Sequence, residues 1–279
     1  MGKKSRRKDK PVKERMPFVA RTFEGLPGEA DWIAMREFVP SATAAVRLLG
    51  SERTLRICSL LPGASAGLVR PDGEIWVGLQ VAHNFGDISR DLASVVEAGL
   101  LAEPGTPLPM TDPGVGPRLQ DIVDPTSPFE VELHDVFDWW VEGTDDSPQT
   151  LELLAGANET IAPTVRLEGV DAAYATDMGG RRYLRWVMTH DEAPLLDAFS
   201  RLRARSADGL GEGTKLIGMF RAHGLLAPVW EFQDEAESLV APAQAFVPVL
   251  AEALADDAPL TAEQRSARSA LTSRQLTIR

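Results

Sequence analysis

The strongest constraint in this chain is a pattern that starts again about 108 residues after its first appearance. "DW" at 31–32 returns at 138–139, and "TLRI" at 54–57 returns as "TVRL" at 164–167. "DGEIWVGLQVAH" at 72–83 returns as "GGRRYLRWVMTH" at 179–190, and "GTPL" at 105–108 returns as "GTKL" at 213–216. The offsets are 107, 110, 107 and 108. Weak matches kept in order at nearly constant spacing point to two copies of one unit. An antiparallel sheet with helices on one face leaves apolar surface or an open edge, which a second copy covers. The expectation is an α+β chain with two tandem α-β-β-β-α-β-β-α copies related by a pseudo-twofold axis.

Local signals fill in the elements. "DWIAMREFVPSATAAVRLLG" (31–50) reads as helix broken near Pro40 and restarted at Ser41. "RTLRICSLL", "PGASAGLVR" and "EIWVGLQVA" read as three antiparallel strands, with "PDG" (71–73) a tight turn. In "ISRDLASVVEAGL", Ile88, Leu92, Val95, Val96 and Leu100 share a helical face, with Asp87 as N-cap and Gly99 as stop. Seven prolines between 102 and 128 leave room only for irregular strands near 106–111 and 117–123. "FEVELHDVFDWWVEG" and "SPQTLELLAGANETI" read as helices, the second capped by Ser147 with Pro148 at its first position. The second copy then runs as three strands ("PTVRLEG", "DAAYATD", "GGRRYLRWVMT"), a helix from 191, a hairpin and a long helix kinked at Pro242 and Pro248. The boundaries expected are a disordered basic arm at 1–17, repeats at 28–134 and 135–255, and a frayed polar tail at 256–279.

Charge divides the chain. Residues 1–15 hold eight Lys/Arg against Asp9 and Glu14, a net +6, whereas the other 264 residues hold 21 basic and 39 acidic, a net −18. Such an arm cannot bury apolar surface. Lys3, Lys4, Arg6, Arg7, Lys8 and Lys10 are therefore the candidate partner-binding residues of the arm, toward RNA, a ribosome surface or anionic lipid, the other reading being a solubilising arm that folds back on the acidic body. No apolar run reaches the roughly 18 residues expected of a membrane span. A single cysteine, Cys58, rules out disulfides within the chain and fits a cytoplasmic location.

Catalytic signals are weak. "GLGEGTK" (209–215) has the wrong Gly-Thr-Lys order for a phosphate loop and follows a helix, and "GVGP" (114–117) opens no helix. Ser65 has no base placed for it, and the paired aspartates at 145–146 and 256–257 read as solvated loops. His83 and His190 stand at equivalent places in the two copies, where a pseudo-twofold axis would bring them together as metal ligands. Their local role in turning the chain into a helix is the favoured account, so no metal and no cofactor is expected. Trp32 and Trp139, also repeat-equivalent, are candidates to line a partner-binding groove between the copies.

The element order resembles the type III secretion chaperone-like fold, a resemblance that implies protein binding without catalysis. The residues "KKSRRK", "ADWIAMREFVPSATA" and "LPGASAGLVRPDGEIWVGLQVAHNFGDISRDLA" resemble a family of uncharacterised actinobacterial proteins, which implies no activity. The function expected is a non-enzymatic cytoplasmic adaptor or chaperone-like protein with a protein partner, monomeric with a pseudo-dimeric body. The alternatives are a nucleic-acid- or ribosome-associated factor acting through the arm, and a small-molecule enzyme with a site between the repeats.

Overall fold

The computed structural model describes residues 17–142 and 147–273. The arm residues Lys3, Lys4, Arg6, Arg7, Lys8 and Lys10 and the 145–146 aspartates lie outside the described residues. The fold is α+β, with two sheets and seven α-helices among the described residues.

The chain enters helix α1 (Glu29–Glu37), whose Ala30, Trp32, Ile33, Ala34 and Met35 are all buried. The helical restart expected at Ser41 is instead strand β1 (Ala42–Val46). Ala42, Ala44 and Val46 face the core, and pairing with β2 (Leu55–Cys58) overrides the helical preference of alanine. β3 (Gly67–Val69) and β4 (Ile75–Gly78) flank the "PDG" turn, where Gly73 takes φ 90° and its N–H donates to the Arg70 carbonyl. β4 pairs antiparallel with β3 but parallel with β2, so the expected all-antiparallel trio is corrected. The 58–67 connection carries the chain past β4 before the turn brings it back between β2 and β3.

Helix α2 (Ile88–Leu101) begins where its cap predicts: the Asp87 carboxylate accepts the Ser89 N–H at 3.1 Å. It runs two residues past Gly99. β5 (Pro107–Leu108) is the irregular strand expected there, but the 117–123 segment is a short helix, α3 (Leu119–Ile122). The helix read at 129–143 is absent. β6 (Glu132–Leu133) pairs with β1, and a 3-10 turn spans Asp138–Trp140, because its aromatic residues serve two different clusters rather than one helical face. The first sheet is ordered β5-β3-β4-β2-β1-β6. Helix α4 (Pro148–Asn158) follows, with Ser147 as its cap.

The second sheet is ordered β10-β11-β9-β8-β7, antiparallel throughout, from β7 (Thr164–Arg166), β8 (Ala173–Asp177), β9 (Arg182–Trp186), β10 (Lys215–Ala222) and β11 (Leu225–Phe232). Helices α5 (Glu192–Ala204), α6 (Val240–Ala255) and α7 (Ala262–Ser273) complete the chain. The expected frayed tail is therefore helical to Ser273, held by Leu271 in the core and an Arg268–Asp197 bond at 2.6 Å.

Echoed segments land at unlike places. β2 and β4 are neighbours, whereas their counterparts β7 and β9 are separated by β8. The internal duplication and its pseudo-twofold axis are not confirmed. Residues 135–158, assigned by sequence to the second unit, pack on the first sheet through Phe137, Trp140 and Leu154.

Two cores sit on opposite faces of the second sheet. One joins α1, α2 and the inner face of the first sheet to Tyr174, Phe220, Leu225 and Val229. The other seats α5 and α6 against Ala173, Leu184, Trp186 and Trp230. Asp31 on α1 ties the two layers: buried, it accepts Tyr174 Oη at 2.5 Å and Arg166 Nη2 at 3.2 Å. The segment Ala236–Ala255, with mean hydropathy 1.5, is long and apolar enough to cross a membrane by length and composition alone, although Glu237 and Glu252 bound its uncharged stretch. Its Ala243, Phe246, Leu250 and Ala253 are buried against the second sheet.

Candidate functional site

The outer face of the first sheet carries the candidate site. Side chains alternate across a strand, so the residues between the core positions Leu55 and Ile57, Ile75 and Val77, and Ala42 and Ala44 point outward: Arg56, Trp76 and Thr43. Register aligns Arg56, Trp76 and Leu68 across three strands, and Thr43 with Glu132 on β6. The 3-10 turn and α4 lie over this face and leave two openings that share Trp76 and Arg70. One is a polar cleft of about 270 Å³ lined by Arg56, Glu74, Glu132, His134, Trp139 and Glu142, with others. The other is an apolar groove of about 490 Å³ lined by Leu61, Leu68, Trp140, Leu153 and Leu154, with others.

The walls are held by specific bonds. Trp139 donates Nε1 to Ser41 Oγ at 3.0 Å and lies 5.3 Å from Trp76 and 5.4 Å from His134, centroid to centroid. Trp140 stacks on Phe137 at 4.2 Å and donates to the Leu60 carbonyl at 3.1 Å. Arg70, buried, stands 4.3 Å over the Trp76 ring and donates to the carbonyls of Trp140 and Glu142. This arginine pins the covering turn to the sheet and stacks on an aromatic face.

The cleft is net acidic. The Glu74 carboxylate is taken up by Arg56 Nε at 3.0 Å and Trp76 Nε1 at 2.6 Å. That bond raises the pKa of Arg56, so the guanidinium stays charged. Glu132 and Glu142 make no ion pair among the described residues. Burial lowers the pKa of His134, whose Nε2 lies 2.9 Å from Thr43 Oγ1, so at neutral pH the ring adds no positive charge. The surrounding sequence explains the sign: residues 119–165 contain eleven Asp/Glu and no Lys or Arg. That run was legible in the sequence as a charge pattern, but the helical reading of 129–143 hid it.

The residues singled out by sequence separate. Trp139 lines the cleft, whereas Trp32 is fully buried, between Phe23 at 5.8 Å and Phe129 at 4.8 Å, with Nε1 on the Pro27 carbonyl. Trp32 is therefore a core side chain, and the two do not line one groove. His83 and His190 are both exposed, in the loops before α2 and α5. Among the described residues no group of three or more His, Cys, Asp or Glu side chains is arranged to hold a metal. Cys58 is buried, and burial raises its thiol pKa well above the ordinary value, which keeps it protonated and unreactive. The "GLGEGTK" loop joins α5 to β10 and presents no helix N-terminus.

No curated protein and no solved structure matches this chain. A family model described as a family of unknown function, DUF5926, matches residues 22–279, which takes in the cleft, the groove and both sheets, so the chain belongs to the DUF5926 family.

Proposed function

We propose that this protein is a non-enzymatic binding protein whose outer first-sheet face takes a basic, apolar segment of a partner protein. The observation that carries the reading is the join at Trp76 and Arg70 between an acidic, tryptophan-walled cleft and an apolar groove. A cationic side chain would meet Glu132, Glu142 and the ring of Trp139. An adjacent leucine or aromatic side chain would fill the groove beside Leu68 and Leu153. Thr43 and His134 approach at a distance suited to a nucleophile and base, but Thr43 is a buried ladder residue, which favours binding over chemistry. The lone protonated Cys58 thiol supports a cytoplasmic setting, and a two-sheet body that shares one core supports a monomer. The second reading, a nucleic-acid- or ribosome-associated factor, rests on the +6 charge of residues 1–15.

Panning a random peptide library on the full chain tests the proposal. Peptides combining Lys or Arg with an apolar residue should be enriched. Their affinity should fall at least tenfold in Trp139→Ala and in the Glu132→Gln, Glu142→Gln double variant, both checked for an unchanged melting temperature. Enrichment of acidic peptides, or affinity indifferent to these substitutions, would refute it.

A further inference from the structure

We infer that the partner segment ends in a free carboxylate, which binds Arg70 while the terminal residue's apolar side chain fills the groove; the inference rests on the binding reading above. What selects this site is an arginine without an acid. Among the described residues three arginines are buried, Arg70, Arg90 and Arg201. Arg90 pairs with Glu97 at 2.7 Å and Arg201 with Asp256 at 3.1 Å. Arg70, 7% exposed, makes no ion pair among the described residues: it donates to the carbonyls of Trp140 and Glu142, and its guanidinium rests on the Trp76 ring. A buried charge without a counter-charge costs stability. A guanidinium carries five N–H groups in a planar fork, and the two carbonyls leave part of that fork for an anion.

The groove supplies the surroundings. Among the described residues that line it, Arg70 is the one charged side chain; the rest of the wall is apolar or neutral. Asp72, Glu74 and Glu142 line the cleft rather than the groove, and the Glu74 carboxylate is already held by Arg56 and Trp76. Helix α4 adds a second feature. It turns its N-terminal end to the groove through Gln149 and Thr150, and its first turn carries no acid. The positive end of its dipole therefore favours an anion in the same groove as Arg70.

The chemistry that fits is one negative charge joined closely to one apolar side chain. An internal segment offers Arg70 only peptide carbonyls. A terminal residue carries its carboxylate and its side chain on the same α-carbon, and an arginine fork takes a carboxylate through two parallel hydrogen bonds. Successive side chains of an extended segment point to opposite sides. The last residue then enters the groove and the one before it reaches the acidic cleft. The main chain passes over Trp76 and Arg70, which both openings share. The recognised end is therefore Lys or Arg followed by a terminal Leu, Ile or Phe, a form of carboxylate capture.

Two versions of one random peptide library test this, panned on the full chain. They are identical except that one ends in a free carboxylate and the other in a carboxamide. The acid library should yield peptides with the predicted end, and each should bind about tenfold or more tighter than its own amide. Appending two glycines to such a peptide should cost as much, because the carboxylate is then moved away from the apolar side chain. Arg70→Lys, which keeps the charge but not the fork, should lower the acid-to-amide ratio. The comparison of ligands needs no variant, so it decides the matter even where Arg70→Lys fails to fold. Equal affinity of acids and amides would overturn the inference and leave the binding reading standing. Decanoate binding more tightly than every acid peptide would also overturn it, by assigning the groove to a small-molecule carboxylate. No enrichment from either library would overturn the inference and the binding reading together.

Discussion

Removing one oxygen atom tests how the two layers are joined. In Tyr174→Phe the ring stays and only the hydroxyl is lost, at a residue with no exposed surface. That hydroxyl donates to the buried Asp31 carboxylate at 2.5 Å, a hydrogen bond to a charged acceptor, and such bonds contribute about 2 kcal/mol. Asp31 keeps Arg166 at 3.2 Å, so the carboxylate is not stranded and the loss stays near that figure. For a chain of this size the melting temperature should fall by about 4–8 °C. The pH dependence carries a second signature. Burial and the Asp31 charge raise the Tyr174 pKa far above its ordinary value of 10. The folded phenol therefore keeps its proton, while the unfolded one releases it near pH 10. Stability from this group is complete below pH 10 and is lost as pH rises past it, and Tyr174→Phe should lack that component. Chemical denaturation at pH 7, 9 and 10.5 measures both effects. A loss under 0.5 kcal/mol at pH 7, or an alkaline decline identical in both proteins, would refute the reasoning.

Two further outcomes follow from the packing. A Cβ on Gly67 would lie 2.6 Å from the Trp76 carbonyl oxygen and 2.9 Å from Val95 Cγ1, so Gly67→Ala should cost roughly 2–3 kcal/mol. Gly156→Ala, a helical position with open space, should instead stabilise by about 0.5–1 kcal/mol, both changes being measured by chemical denaturation at pH 7. Glu37 accepts from His223 at 2.9 Å, and this bond lowers its pKa below the ordinary 4.5. The stability it contributes is present above pH 4.5 and is lost as pH falls through the folded value. Glu37→Gln should therefore cost stability at pH 6 and flatten the acid limb below pH 4.5, and parallel acid limbs in the two proteins would contradict this.

What the sequence made legible was local. The Asp87 cap, the "PDG" turn, the Ser147–Pro148 helix start and the β10–β11 hairpin each rest on residues adjacent in the chain, and each stands in the structure. What escaped was set by partners far away. "ATAAV" carries no strong period, and it is a strand because β2 and β6 pair with both its edges. β2 lies parallel to β4 because β3 sits on the far side of β4, which no turn signal between them announces. The candidate site was half visible. Trp139 was found, but its neighbours Arg56, Trp76 and His134 converge only through sheet register, and Trp32 was drawn in by an echo whose two members occupy unlike places.

The pairing of β1 with β6 also sets an order of events during synthesis. Ala42 meets Leu133 and Thr43 meets Glu132, so the edge of β1 has no partner until the chain has grown by some ninety residues. At ordinary elongation rates that interval is roughly 5–20 s. Through it the first sheet presents a bare edge, the surface on which nascent strands mispair. The strand that closes the edge arrives inside an uninterrupted run of negative charge, which repels further chains as it docks. For this half of the molecule, exposure to misassembly is governed by the speed of the ribosome rather than by the stability of the finished fold.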